Sequence, residues 1–158
     1  MRRLLASLAL TTFLVASAAA SERDDVMSVV HRWIDALDKG DMKTFVGLCS
    51  EHTVILDDMS PYQWQGEGAC AKWWSDAGKN TEITDISVAV GKPLQISITD
   101  GRAYVVTRDS VAYRMGGKPM KQTGAIHTFA LQKGSSGWRI SGEAWSVTAP
   151  PRLVKTGS

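Results

Sequence analysis

Apolar residues recur every three or four positions through the first half of the chain and at every second position through the rest. From Ser21 to Asp38, Val26, Val29, Val30, Trp33, Ile34 and Leu37 fall on one side of a helix that Gly40 stops. Asp41 caps a second, shorter helix with Met42, Phe45, Val46 and Cys49 on its apolar side. The β-branched run His52 to Leu56 reads as a short buried strand, and Gly66 to Gly78 as a third helix faced by Cys70, Trp73, Trp74 and Ala77. After Glu82 the period becomes two. Strands are predicted over Ile83–Ile98, broken at Gly91-Lys92-Pro93, and over Ala103–Arg114, Met120–Lys133 and Trp138–Thr148. Thr99-Asp100-Gly101, Met115 to Lys118 and Gly134 to Gly137 are hairpin turns, so the strands form an antiparallel meander. Helices first and a meander after predict an α+β domain with three N-terminal helices packed on one face of an antiparallel sheet.

The ends read differently. Arg2 and Arg3, an apolar run from Leu4 to Val15, and Ala16-Ser17-Ala18-Ala19-Ala20 have the form of a secretory signal peptide over residues 1–20, too short for a good membrane span. The expected product is periplasmic or secreted, with one domain over residues 21–149 and a flexible tail over 150–158. Cleavage removes two of the 18 Lys+Arg, which leaves a formal balance with the 16 Asp+Glu. A neutral chain without basic clusters points to neither nucleic acid nor an anionic membrane as partner. Cys49 and Cys70 both lie in helix-like segments; in an oxidising compartment they can pair, and otherwise they are two buried thiols.

Candidate chemistry begins where the buried strand meets Asp57 and Asp58. A carboxylate at the end of such a strand, half out of water, has the makings of a general base; the competing reading is that the two acids cap the strand and open a turn. Tyr62 and Trp64 follow at a spacing that suits the aromatic rim of a small-molecule pocket. Alternation places His127 on the face of Ala125, Phe129 and Leu131, turned inward either as a hydrogen-bonded core residue or as a proton-transfer group. His31 and His52 read as surface residues, and no spacing suggests a metal site. Glycine-rich phosphate loops and Gly-x-Ser-x-Gly are absent, which argues against nucleotide binding and serine hydrolysis.

Three strings in order, Val30 to Asp41, Thr53 to Asp58 and Gly137 to Val147, resemble the nuclear transport factor 2-like superfamily, and within it SnoaL-like and ketosteroid isomerase-like proteins, over about residues 24–148. The resemblance implies a cone-shaped barrel, a pocket between sheet and helices, and a homodimer through the sheet's outer face. In ketosteroid isomerases the first helix supplies a tyrosine to the oxyanion, where Trp33 stands here. The aspartate base falls on Asp57, or on Leu56 if the Thr-Val pair is aligned instead, and a second acid falls on His127. Comparison with the isomerases also favours the face of Tyr104, Val106, Arg108, Ser110 and Ala112 as concave. Arg108 is then an inward cation, or else an exposed side chain on a solvated face. In the last strand Trp138, Ile140, Gly142, Ala144 and Ser146 share a face, and Gly142 and Ala144 stand where many relatives carry histidines.

These readings combine into an exported domain that binds a small apolar organic molecule in a pocket touched by Asp58, Tyr62, Trp64, Arg108 and Ser146. The leading expectation is a cofactor-free isomerase, cyclase or hydratase in which Asp57 abstracts a proton and His127 or Trp33 stabilises the oxyanion. The alternative is a non-catalytic binding or dimerisation module of the cell envelope.

Overall fold

The computed structural model describes residues 6–79 and 82–154, with side chains from residue 21 onward. The signal-peptide reading of residues 1–20 lies outside the described side chains. In chain order the elements are α1 (Ala6–Asp38), α2 (Met42–Gly47), β1 (Cys49–Leu56), β2 (Gln63–Gln65), α3 (Ala69–Ala77), β3 (Ile83–Ala89), β4 (Pro93–Thr99), β5 (Arg102–Met115), β6 (Lys118–Gly134), β7 (Gly137–Ser146) and β8 (Arg152–Leu153). Among the described residues no helix is long and apolar enough to cross a membrane.

One curved sheet carries the strands in the order β2-β1-β7-β6-β5-β3, with β4 also on β5 and β8 on β6. Two features differ from the expected antiparallel cone. The sheet is mixed, because β1 runs parallel to β7, and it does not close on itself. The parallel pair follows from connectivity: β1 reaches the sheet from the helices rather than from a hairpin, so no tight turn dictates its direction. In the stretch read as a flexible tail, Arg152 and Leu153 pair with Lys121 and Met120, and Val154 N–H donates to the Pro119 carbonyl. Those backbone bonds hold this part of the tail on β6.

The long strand β5 has two partners along one edge. Its C-terminal half takes β3 and its N-terminal half takes β4, with the change of partner at Val90–Lys92. Gly91 is required there. A Cβ at Gly91 would stand 2.1 Å from the Arg108 carbonyl oxygen, so only glycine lets the two backbones approach this closely.

The helices lie across the concave face, and α1 is pinned near both ends of its described side-chain region. Arg23 donates to the Ile96 carbonyl, Lys133 pairs with Glu22, and Asp38 accepts from Ser87 Oγ and the Val88 N–H. Between these pins Val26, Val30, Trp33 and Ile34 are buried against Val105, Phe129, Leu131 and Ile140 of the sheet. Trp33, Phe45 and Trp73 form a stack that joins all three helices, with ring centroids 4.3 Å apart for Trp33–Phe45 and 5.5 Å for Phe45–Trp73. Asp41 caps α2 by accepting from the Thr44 N–H, as the sequence suggests.

Cys49 and Cys70 are bonded to each other, 21 residues apart. Cys49 opens β1 rather than continuing α2, because the helix ends at Gly47 and the Ile140 N–H donates to the Leu48 carbonyl to start the β1–β7 pairing. The bond therefore ties the sheet to α3. Replacing both cysteines with alanine should cost about 3 kcal/mol in the chain-entropy picture, read as a lower urea midpoint with a slope no smaller than that of the wild type. A variant whose midpoint matches the wild type would show that the cross-link does not constrain the unfolded chain.

Candidate active site

A cavity of about 260 Å³ opens between the concave face and the helices. Its inner wall is built around His127, which is only 3 % exposed. The imidazole is clamped: Nδ1 lies 2.9 Å from Asp109 Oδ2, and Nε2 lies 2.8 Å from Glu143 Oε1. Asp109 on β5 and Glu143 on β7 are themselves buried, at 1 % and 6 % exposure. Asp109 is fixed on its other side, where Oδ1 accepts from the Gly91 N–H at 2.9 Å. The break between β3 and β4 thus supports the clamp. Phe129 packs 4.0 Å from the His127 ring, and Trp145 meets it edge-on at 5.0 Å.

The clamp constrains protons as well as positions. A neutral imidazole has one N–H, so two carboxylate contacts need either a protonated ring or a protonated carboxyl. Burial alone would depress the His127 pKa, but the hydrogen bonds to Asp109 and Glu143, and then the charges of both acids, hold it above its ordinary value of 6.5. Burial pushes Glu143 above its ordinary 4.5; His127 opposes this, and the charge of Asp57 adds to it. Either way the three groups share two protons, and one of them can cross between Nε2 and Oε1. Glu143 lines the cavity, so that proton has a route to a bound molecule.

On the strand next to Glu143, Asp57 stands in the cavity lining just past the end of β1. Its Oδ2 accepts from the Trp73 indole N–H at 2.9 Å and its Oδ1 from the Met59 N–H at 3.0 Å. Asp58 follows in the cavity lining, its carboxyl pushed up by burial and then by the hydrogen bond to Asp57 and its charge. Tyr113, also lining, is raised by burial and by the charge of Asp58. Trp33, Ile34, Leu37, Ile86, Val88 and Val111 supply the apolar walls. Among the described residues no group of three or more His, Cys, Asp or Glu is arranged to hold a metal ion.

Of the residues singled out from sequence, Asp57, Asp58, His127 and Trp33 line this cavity. Four others do not. Arg108 is on the convex face and exposed, because it is Val105, Thr107 and Asp109 that turn inward on β5. Ser146 is exposed at the end of β7. Tyr62 stands at φ +73 in the turn before β2 and is 63 % exposed, its backbone bonded to Met59 and Asp57. Trp64 is buried away from the cavity, opposite Ile55, with its indole N–H donated to Asp76. Trp33 is a wall and not an oxyanion donor, since its N–H points 3.4 Å from Cys49 Sγ. His127 is not bonded to Asp57; its partners are the two acids that sequence reasoning missed.

The comparison with the isomerases favours the opposite face of β5, and unbroken alternation favours the opposite face of β7; in each case a single extra residue in a strand decides otherwise. Counted back from the Gly116-Gly117 turn, an unbroken ladder would set His127 opposite Val106, whereas the register shifts at Gly124 and sets it opposite Thr107. Gly124 has φ +80, a conformation that favours glycine, and its carbonyl accepts from Thr148 Oγ1. A second shift lies in β7, where Leu131 pairs with Ile140 but Ala130 with Gly142. The extra residue, Ser141, sends Glu143 and Trp145 inward and Ala144 and Ser146 outward. Gly124, alone in an alternating strand, is the one signal that would have flagged a bulge.

The clamp makes stability pH-dependent. Because His127 and Glu143 hold protons more tightly folded than unfolded, their contribution is complete at low pH and is lost as pH rises above about 6.5 through the folded histidine pKa. Tm measured from pH 6 to 9 should fall for the wild type beyond its background slope. His127→Gln should lose that slope and about 3–5 kcal/mol, having left two buried acids without a cation. A wild-type Tm that rises across this range would contradict the assignment.

No curated protein sequence matches the chain. Solved structures do match in fold. One assigned as a scytalone dehydratase from Novosphingobium aromaticivorans superposes with a TM-score of 0.74 at 12 % identity, covering 90 % of this chain and 94 % of that one. A type 2 hexachlorocyclohexane dehydrochlorinase gives 0.72 at 8 % identity, covering 87 % and 92 %. A ketosteroid isomerase-like protein from Erwinia carotovora atroseptica gives 0.62 at 14 % identity, covering 78 % and 94 %. At these identities the likeness is one of fold. The model of the SnoaL-like domain matches residues 26–150, most of the chain and all of the elements that build the cavity, and the chain belongs to that family.

Proposed function

We propose that this SnoaL-like domain is an exported, cofactor-independent proton-transfer enzyme of the isomerase, cyclase or dehydratase type, acting on a small and largely apolar organic molecule. The observation that carries the reading is the buried Asp109–His127–Glu143 clamp with Glu143 opening into an apolar cavity. Buried ionisable groups are costly, and perturbed acids gathered in a cleft are the usual means of running acid and base chemistry together. Asp57 takes a proton from carbon. Glu143, on the neighbouring strand, gives one to the carbonyl or departing hydroxyl oxygen, and His127 restores it across the 2.8 Å contact. Asp109 holds the ring and compensates its charge. Trp33 and Trp145 are walls that exclude water.

The Cys49–Cys70 bond supports an oxidising compartment, and with the apolar run before Ser21 it favours the periplasm or the exterior. A homodimer would use the convex face, where Tyr104 and Arg108 are exposed. One observation favours the rival reading of a non-catalytic ligand-binding module: both Asp57 oxygens already accept internal hydrogen bonds. Native mass spectra and chromatography of the mature protein after incubation with envelope extract separate the two. Wild type should convert a retained molecule, and Asp57→Asn and Glu143→Gln should hold it with conversion slowed about 100-fold or more. The same unchanged molecule on all three proteins would establish the binding module, and empty proteins would remove the cavity from the account.

A further inference from the structure

Among the described residues, three carboxylates line the cavity, Asp57, Asp58 and Glu143, and no lysine or arginine does. Glu143 has His127 as a partner, but that one imidazole is shared with Asp109. Asp57 and Asp58 form no ion pair among the described residues, and both oxygens of Asp57 accept only from neutral N–H groups, those of Met59 and Trp73. Independently of the acids, the cavity is walled by aromatic rings, those of Trp33, Trp73, Trp145 and Tyr113. The faces of such rings carry negative potential.

Acids and rings discriminate between ligands in the same direction. An anionic ligand meets three acids, against which the lining offers the single His127 imidazole, already held between Asp109 and Glu143. A neutral one leaves the Asp57–Asp58 pair partly desolvated and uncompensated. A cation gains from both, through direct pairing with carboxylates and through attraction to indole faces that strengthens as water is excluded.

We infer that the cavity takes a small organic cation, an amine or quaternary ammonium on an apolar body, with its charged head at Asp57 and Asp58 and its body between the tryptophans. The inference rests on the reading of the cavity as a ligand site and adds the charge class of the ligand. The apolar part lies toward Ile34, Leu37 and Val88, and the clamp around His127 borders it from the sheet side.

Three probes that share a benzyl group test this at fixed ionic strength: benzyltrimethylammonium, benzyl alcohol and phenylacetate, titrated by calorimetry and by tryptophan fluorescence. The quaternary probe keeps its charge at every pH, so its affinity reports on the protein alone. It should bind about tenfold tighter than the alcohol, and phenylacetate more weakly than either. Asp58→Asn, at the exposed edge of the cavity, should reduce the cation's advantage several-fold and leave the alcohol's affinity unchanged, which also shows that the variant is folded. Equal affinity for cation and alcohol, or a preference for phenylacetate, would overturn the charge assignment and leave the ligand site standing. Failure of all three probes to bind would overturn the assignment together with the ligand-site reading beneath it.

Discussion

A histidine buried between two buried carboxylates constrains everything around it. Each acid, taken alone from water into the sheet interior, would cost several kcal/mol, and removal of any one member leaves the others without compensation. Asp109 and Glu143 are tolerated because His127 bridges them at 2.9 and 2.8 Å, and His127 is tolerated because they hold its charge. Such a trio is a weak way to stabilise a core. Apolar side chains of similar volume would do as well or better, and the retention of three ionisable groups is best understood through what they can do with two mobile protons at the wall of a cavity.

The fold supplies the geometry through small departures from regularity. The bulge at Gly124 turns β6 so that His127 meets Asp109, and the bulge at Ser141 turns β7 so that Glu143 meets His127. The change of partner along β5 brings the Gly91 N–H to the far oxygen of Asp109, at a place where any side chain would strike the Arg108 carbonyl. On the helix side, the stack of Trp33, Phe45 and Trp73 positions two indoles of different use. Trp73 spends its N–H on Asp57, and Trp33 directs its own to the disulfide and shows the cavity only its ring. Bulges beside functional groups are common because a single extra residue re-aims every side chain after it.

This explains how far sequence could reach. Element types and order were legible because helical and strand periods are strong and the glycine turns are unambiguous, and the inward direction of His127 followed from Ala125, Phe129 and Leu131 around it. Cross-strand facts were not legible. Alternation along β5 separates Arg108 from Asp109 without saying which face is concave, and the comparison with the isomerases selects the wrong one. Alternation carried unbroken through the bulge on β7 put Ser146 in and Glu143 out. Tyr62 and Trp64 misled for a different reason: an aromatic pair after two acids has the look of a rim, yet a positive φ turns one to solvent and a strand pairing turns the other into the core beside α3.

The central claim is that the three groups share two protons around a ring held above its ordinary titration range. Nitrogen-15 resonance of the histidine rings reads this directly, with His127 assigned through its loss in His127→Gln. At pH 7 both ring nitrogens of His127 should have protonated shifts, with slowly exchanging protons. A His127 ring that is neutral at pH 7, with one unprotonated nitrogen and fast exchange at the other, would contradict the account.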